Sequence, residues 1–200
     1  RYGLPTIGTA AHAFTLLHTT DGGSMSDWEK AAFKAQVDAL GVDTTLLVDT
    51  YDITTGVANA VEVAGPNLGA VRLDSGDLAI MARQARDLLD DLGATDTRIM
   101  VTSDPDAWQI AMLQGAPVDG DGVGTSLVTG SGHPTCGFVY KLVARADSDE
   151  PDAQWVSVGK KSKGKNTLGG RKFALRRLGE DGRAEAEVIG LGTPPVNDGN

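Results

Sequence analysis

The chain has 200 residues, 40% of them hydrophobic and 22% charged, with a formal net charge of −9. That length suits one domain or one and a fraction, and a core that needs no covalent staple. The acidic balance excludes a general nucleic-acid binder, whose phosphate-facing surface must be basic, but allows a local basic pocket. Cys136 is the single cysteine. No internal disulfide can form, and a reducing, cytoplasmic setting is expected. With only His133 nearby, Cys136 cannot complete a zinc site and reads as a small buried side chain. No apolar run approaches the roughly 20 residues of a membrane span, and no secretory pattern opens the chain, so no membrane partner is expected. The first residue is Arg1 rather than Met, the expectation for a processed or partial chain.

In chain order, Ser26-Asp27-Trp28-Glu29 reads as a capping box leading into a helix over 30–40, which stops at Gly41. The β-branched and apolar run 44–48 predicts a buried strand ending at Asp49-Thr50. A helix follows across 55–64, broken by Gly65-Pro66-Asn67. Strand 69–73 precedes a helix over 77–92, with Leu78, Met81, Ala82, Ala85, Leu88, Leu89 and Leu92 at helical spacing. Strand 98–102 comes next, and Pro105 opens a helix that ends at Gly115. This alternation implies parallel strands joined by right-handed crossovers. Polar residues gather after the strands, at Asp49-Thr50, Asp74-Ser75, Ser103-Asp104 and 122–125, the end of a parallel barrel where active sites form. From residue 137 the pattern becomes short strands, at 137–144, 155–158, 172–178 and 185–189. A polar loop is expected at 147–152 and a turn at Glu180-Asp181-Gly182. The expected division is a barrel portion over 1–136 and a β-rich subdomain over 137–200.

Four stretches could carry chemistry. In Arg72-Leu73-Asp74-Ser75-Gly76-Asp77 the chain leaves a strand for a helix; its amides, Asp74 and Arg72 suit an anionic, hydroxyl-bearing ligand. Capping explains Ser75 and Asp77 equally well but not a strand-embedded Arg72. Gly120-Asp121-Gly122-Val123-Gly124-Thr125-Ser126 is either an anion nest with added hydroxyls or a tight turn. His12, within Gly8-Thr9-Ala10-Ala11-His12-Ala13-Phe14, reads as a structural histidine or as a proton or phosphoryl carrier. The stretch 159–177 holds Lys160, Lys161, Lys163, Lys165, Arg171, Lys172, Arg176 and Arg177 and no acidic residue. It is a local field for a polyanion or a solvated face.

Five runs occur in the order and spacing of the nicotinate phosphoribosyltransferase family. They are 8–14, Leu47-Val48-Asp49-Thr50-Tyr51-Asp52, 71–77, Gly115-Ala116-Pro117-Val118-Asp119 leading into 122–125, and Val139-Tyr140-Lys141-Leu142-Val143. The chain resembles the C-terminal part of that family's proteins over nearly its whole length. The resemblance implies an irregular parallel α/β barrel of the type II phosphoribosyltransferase kind, followed by a small β-rich subdomain. It implies attack of nicotinate on phosphoribosyl pyrophosphate, giving nicotinate mononucleotide and pyrophosphate in NAD salvage, coupled to ATP hydrolysis through a phosphohistidine. His12 matches that histidine. Thr9 and Arg72 match positions that hold nicotinate. Thr125 matches a contact to phosphoribosyl pyrophosphate, in a loop shaped by Gly122 and Gly124. Asp74, the other expected catalytic residue, and Ser75 face the ribose and pyrophosphate; Ser103 joins the substrate-binding set. Mg²⁺ is expected through the pyrophosphate, with no direct protein ligand, and the intact protein is expected to be a homodimer. The alternatives are a nicotinamide phosphoribosyltransferase, against which Leu73 and the Gly-Val-Gly-Thr loop speak, or an inactive binding fragment lacking an N-terminal region.

Overall fold

The computed structural model describes Gly3, residues 8–129, Gly132, Thr135, Cys136, and residues 138–162, 165–194 and 196; of residues 162, 165 and 166 it describes the backbone alone. The chain divides into two compact units, Arg1–Lys141 with Lys160–Asn166, and Leu142–Gly159 with Thr167–Asn200.

The first unit alternates helix and strand. After the short α1 (His12–Leu17), α2 runs over Met25–Leu40. Its capping box is Ser24 with Asp27, two residues ahead of the expected Ser26 and Glu29. The reason lies in packing: Ser26 Oγ donates to Asn59 Oδ1 at 2.8 Å, and Glu29 Oε2 accepts from Asn59 Nδ2 at 2.9 Å. Both side chains are spent on the next helix, so Ser24 takes the orphan amide. Strand β1 (Thr45–Leu47) leads to α3 (Ile53–Ala64), which Asp52 starts by accepting from the Thr55 amide at 2.9 Å. Gly56 lets α3 lie directly on β1, since a Cβ there would overlap the Val48 carbonyl oxygen. Then follow β2 (Ala70–Leu73), α4 (Leu78–Asp91), β3 (Arg98–Thr102), α5 (Ala107–Leu113), β4 (Gly120–Gly122) and α6 (Thr125–Thr129). Helix α5 opens two residues after Pro105, because Asp106 and Gln109 form its capping box.

The four strands lie in the order β1-β2-β3-β4 and every pairing is parallel. A parallel bridge from Thr9 to Thr45 extends the sheet beyond β1. Sequential order with a helix after each strand is how a barrel wall is built. Strand alternation then sorts the side chains. Leu46, Val48, Val71, Leu73, Ile99 and Val101 join residues of α2–α5 such as Phe33, Val57, Ala85 and Leu89 in one buried cluster. The intervening positions, Leu47, Asp49, Arg72, Asp74, Met100 and Thr102, fall on the other face by the same alternation.

In the second unit β5 (Ala144–Ala146) pairs antiparallel with β6 (Trp155–Ser157), and β9 (Lys172–Leu178) with β10 (Ala184–Leu191). The expected turn at 180–182 joins the longer pair. The strand expected over 137–144 is realised only at its end: Ala144 pairs in β5, and the Val143 carbonyl accepts from the Val158 amide at 3.0 Å, while residues 138–142 are in no strand and Gly137 lies outside the described residues. The pairing of β7 (Lys161–Ser162) with β8 (Lys165–Asn166), inside the first unit, was not anticipated. Cys136 is exposed rather than buried. Among the described residues, no helix is long and apolar enough to cross a membrane.

Candidate active site

The polar strand ends converge. Arg72, on β2, sends Nη2 to Asp74 Oδ1 at 2.6 Å and Nε to Thr102 Oγ1 at 2.7 Å, and makes a longer contact from Nη1 to the Ala10 carbonyl at 3.4 Å. Thr102 donates its own proton to Asp74. Asp49, at the end of β1 and 4% exposed, accepts from the Asp74 amide at 3.0 Å and the Ser75 hydroxyl at 2.9 Å through Oδ2. Its Oδ1 is buried without a hydrogen-bond partner. One buried carboxylate therefore holds the whole turn after β2. Gly76, at φ 94°, completes that turn in the left-handed region that glycine adopts freely.

His12 stands against this frame at the start of α1. Its Nδ1 lies 3.1 Å from Thr50 Oγ1. Its Nε2 lies 2.8 Å from Lys160 Nζ, 3.5 Å from Asp74 Oδ2 and 3.8 Å from Asp49 Oδ1. Burial pushes the Asp74 carboxyl up. The His12 ring, the Thr102 hydroxyl and the Arg72 guanidinium outweigh that and hold it well below the usual carboxylate range.

The remaining expected residues are spread more widely, and Thr9 bridges the start of β1 rather than its end. Thr9 donates to the Thr45 carbonyl at 2.8 Å. Ser103 follows Thr102 and lines a cavity of about 270 Å³ with Gly76, Asp77, Leu78, Pro105 and Gln109. Gly122 pairs with Thr102 in the sheet. The loop beyond it is already engaged: Asp104 accepts from the amides of Gly124 at 3.0 Å and Ser126 at 2.9 Å, and its carbonyl accepts from Ser126 Oγ at 3.0 Å. Those bonds lower the Asp104 carboxyl, the Ser126 amide most. Asp104 adopts φ 51°, a conformation that aspartate tolerates better than most residues. The amides of an expected anion nest thus already hold an anion of the chain itself.

Sequence reasoning placed Asp49, Thr50 and Asp104 at strand ends without giving them roles, and Lys160 only within a basic stretch. Thr102 was read as strand. What makes these five part of the site is contact across 20 or more residues, for which local pattern carries no signal.

The sheet and the polar cluster at its strand ends define the class first. A solved nicotinate phosphoribosyltransferase from Porphyromonas gingivalis superposes with a TM-score of 0.67 at 21% identity, covering 84% of this chain and 45% of that one. A nicotinate-nucleotide pyrophosphorylase from Pyrococcus furiosus superposes with a TM-score of 0.55 at 21% identity, covering 98% and 45%. The fold is therefore α/β of the phosphoribosyltransferase barrel kind, a parallel sheet that matches part of these structures, with antiparallel sheets in addition.

Sequence relatives narrow it. Nicotinate phosphoribosyltransferase pncB1 of Mycobacterium tuberculosis is 58% identical over 197 residues, 98% of this chain and 42% of that protein. The nicotinate phosphoribosyltransferases of Bacillus subtilis and Homo sapiens are 38% and 35% identical, over 99% and 84% of this chain and 40% and 33% of theirs. No family model matches. The chain belongs to the nicotinate phosphoribosyltransferase family and spans about two-fifths of the length of the first of these relatives.

Proposed function

We propose that this chain supplies the strand-end wall of a nicotinate phosphoribosyltransferase site. The observation that carries the reading is the convergence of His12, Asp49, Arg72, Asp74 and Thr102 at the C-terminal ends of parallel strands. In the reaction the pyridine nitrogen of nicotinate attacks the anomeric carbon of phosphoribosyl pyrophosphate. The bond from that carbon to the pyrophosphate oxygen breaks, and pyrophosphate leaves with the electron pair. The nitrogen is already nucleophilic, so the site must position and neutralise rather than abstract a proton.

Arg72 suits the nicotinate carboxylate. Its Nε and Nη2 are tied to Thr102 and Asp74, and the long Nη1 contact to Ala10 is the arm most easily exchanged for a substrate oxygen. Thr9 precedes Ala10 in the chain, and its hydroxyl would have to leave the Thr45 carbonyl to reach the substrate. Asp74, kept ionised, faces the cationic character that develops at the sugar, and Ser75 and Ser103 offer hydroxyls to ribose or pyrophosphate. The loop of Gly122, Gly124 and Thr125 would take a phosphate of phosphoribosyl pyrophosphate once Asp104 gives up the Gly124 and Ser126 amides. Mg²⁺ enters on the pyrophosphate. Among the described residues no three His, Cys, Asp or Glu side chains form a metal cage, and Asp74 is committed to Arg72 and Thr102.

ATP is the co-substrate and His12 the residue phosphorylated. Phosphorylation would add negative charge beside the pyrophosphate position and shift ligand affinity there. The intact protein is proposed to act as a cytoplasmic homodimer in nicotinate salvage. The test is a chimera in which this chain replaces the matching segment of the M. tuberculosis relative, assayed for nicotinate mononucleotide. Turnover with nicotinate and phosphoribosyl pyrophosphate, faster with ATP, is expected. A clear preference for nicotinamide, or an inactive chimera that folds and dimerises, overturns the reading. Sedimentation gives the oligomeric state.

A further inference from the structure

The contact between Lys160 and His12 joins residues 148 positions apart, within one compact unit. An ammonium group has donors only, so at 2.8 Å the His12 Nε2 must be the acceptor. The proton of the neutral ring then sits on Nδ1, directed at Thr50 Oγ1 at 3.1 Å. Asp74 and Asp49 lie farther from the same Nε2, at 3.5 and 3.8 Å, so Lys160 takes the lone pair of the neutral ring, and the pull of the ring on the Asp74 carboxylate belongs to its cationic form; yet the two carboxylates remain close. They pose a separate problem. A phosphoryl group arriving at Nε2 enters the field of two carboxylates, and a cation is needed at that atom.

We propose that Lys160 is a positioning residue for His12: it keeps the ring in the Nδ1–H tautomer with the Nε2 lone pair available, and then offsets the charge of the phosphoryl group that Nε2 accepts. This deepens the phosphohistidine reading given above and rests on it. In the step, Nε2 forms a bond to the terminal phosphorus of ATP. The bridging P–O bond breaks and ADP leaves with its electron pair. The ring keeps its Nδ1 proton toward Thr50 and becomes cationic, so Asp49 and Asp74, obstacles to the incoming group, stabilise the product ring. Lys160 turns from the nitrogen to the phosphoryl oxygens. Water later attacks phosphorus, and the Nε2–P electron pair returns to the ring.

The test compares the wild-type chain with Lys160→Arg, which keeps donor and charge, and Lys160→Met, which keeps length alone. Nitrogen-15 spectra of His12 read the tautomer without requiring any activity; labelling from terminally ³²P-labelled ATP, as acid-labile and base-stable counts lost in His12→Ala, reads the phosphohistidine. The wild type and K160R are expected in the Nδ1–H form. K160M is expected to lose it and to label roughly ten- to a hundredfold less, the range for loss of a charged hydrogen bond. K160M with wild-type spectra and labelling overturns the role of Lys160. If the spectra follow Lys160 but no variant labels, the phosphohistidine reading itself fails and takes the charge-offset half with it. Should K160M not fold, Lys160→Gln takes its place, retaining a donor but no charge: normal spectra with reduced labelling are expected, and unchanged labelling overturns the proposal.

Discussion

The parallel-sheet unit and the antiparallel unit solve the same backbone problem in opposite ways. Strands β2 and β3 carry Val71, Leu73, Ile99 and Val101 with no exposure at all, because the helices after each strand cover that face. The β9/β10 hairpin pairs its backbone within itself and leaves Leu175, Val188, Ile189 and Leu191 at 38–57% exposure. Of the buried hydrophobic residues described, Val158 alone falls in the second unit. A parallel strand is therefore defined by what packs on it, and a hairpin by its turn and ladder. Stability and site architecture should concentrate in the first unit.

Leucine truncation tests this most severely. Leu73→Ala should lower the unfolding free energy by about 3 kcal/mol, through lost transfer energy and a cavity between β2 and α4. Leu175→Ala, on the half-exposed hairpin, should cost less than about 1 kcal/mol. Urea melts of both read the difference, and equal costs would break the comparison.

Arg72→Ala separates binding from folding within the first unit. In the chimera, the KM for nicotinate should rise roughly ten- to a hundredfold, the range for a lost charge-assisted bond, while that for nicotinamide moves far less. Equal effects on both pyridines would remove the carboxylate assignment.

Glu29 sharpens the comparison through pH. It is 1% exposed, one of its oxygens lacks a hydrogen-bond partner, and burial pushes its carboxyl up to about 7, against the Asn59 bond that lowers it. The folded state therefore holds a proton that the unfolded state, near 4.5, releases. Its contribution is full below pH 4.5 and is lost as the pH rises through about 7. Glu29→Gln should flatten that slope and, at pH 8, exceed the wild type by at most about 3 kcal/mol. Parallel curves for variant and wild type would argue that Glu29 does not titrate in this range. The smallest effect belongs to the hairpin: Arg176→Ala, which removes an exposed pair with Glu187 at 2.5 Å, should change the unfolding free energy by less than about 1 kcal/mol.

Much of the fold was legible along the chain. The apolar spacing in α4 and the β-branched run of β3 placed those elements within a residue, and β9 matched its expected span. Helix starts were less legible. Whether Ser24 or Ser26 caps α2 depends on Asn59 from another helix, which draws Ser26 away. Residues 138–142, before β5, have strand composition but lie in no strand. In the site, Arg72 is conspicuous as a charge inside an apolar strand, whereas Asp74 and His12 take their expected roles from the family's motifs. Thr102 and Lys160 are not conspicuous, since a threonine in a strand and a lysine in a basic stretch are ordinary.

By itself the sequence determined the order of strands and helices, the polar character of each strand end, and membership in a family, because local pattern and identity are properties of residues in a row. Only the tertiary structure decided which of those ends share atoms. It put Arg72 between Asp74 and Thr102, gave Asp49 the turn after β2 to hold, filled the glycine-loop amides with Asp104, and brought Lys160 onto His12. These contacts follow from sheet register and crossover geometry, which set distances that spacing along the chain does not encode.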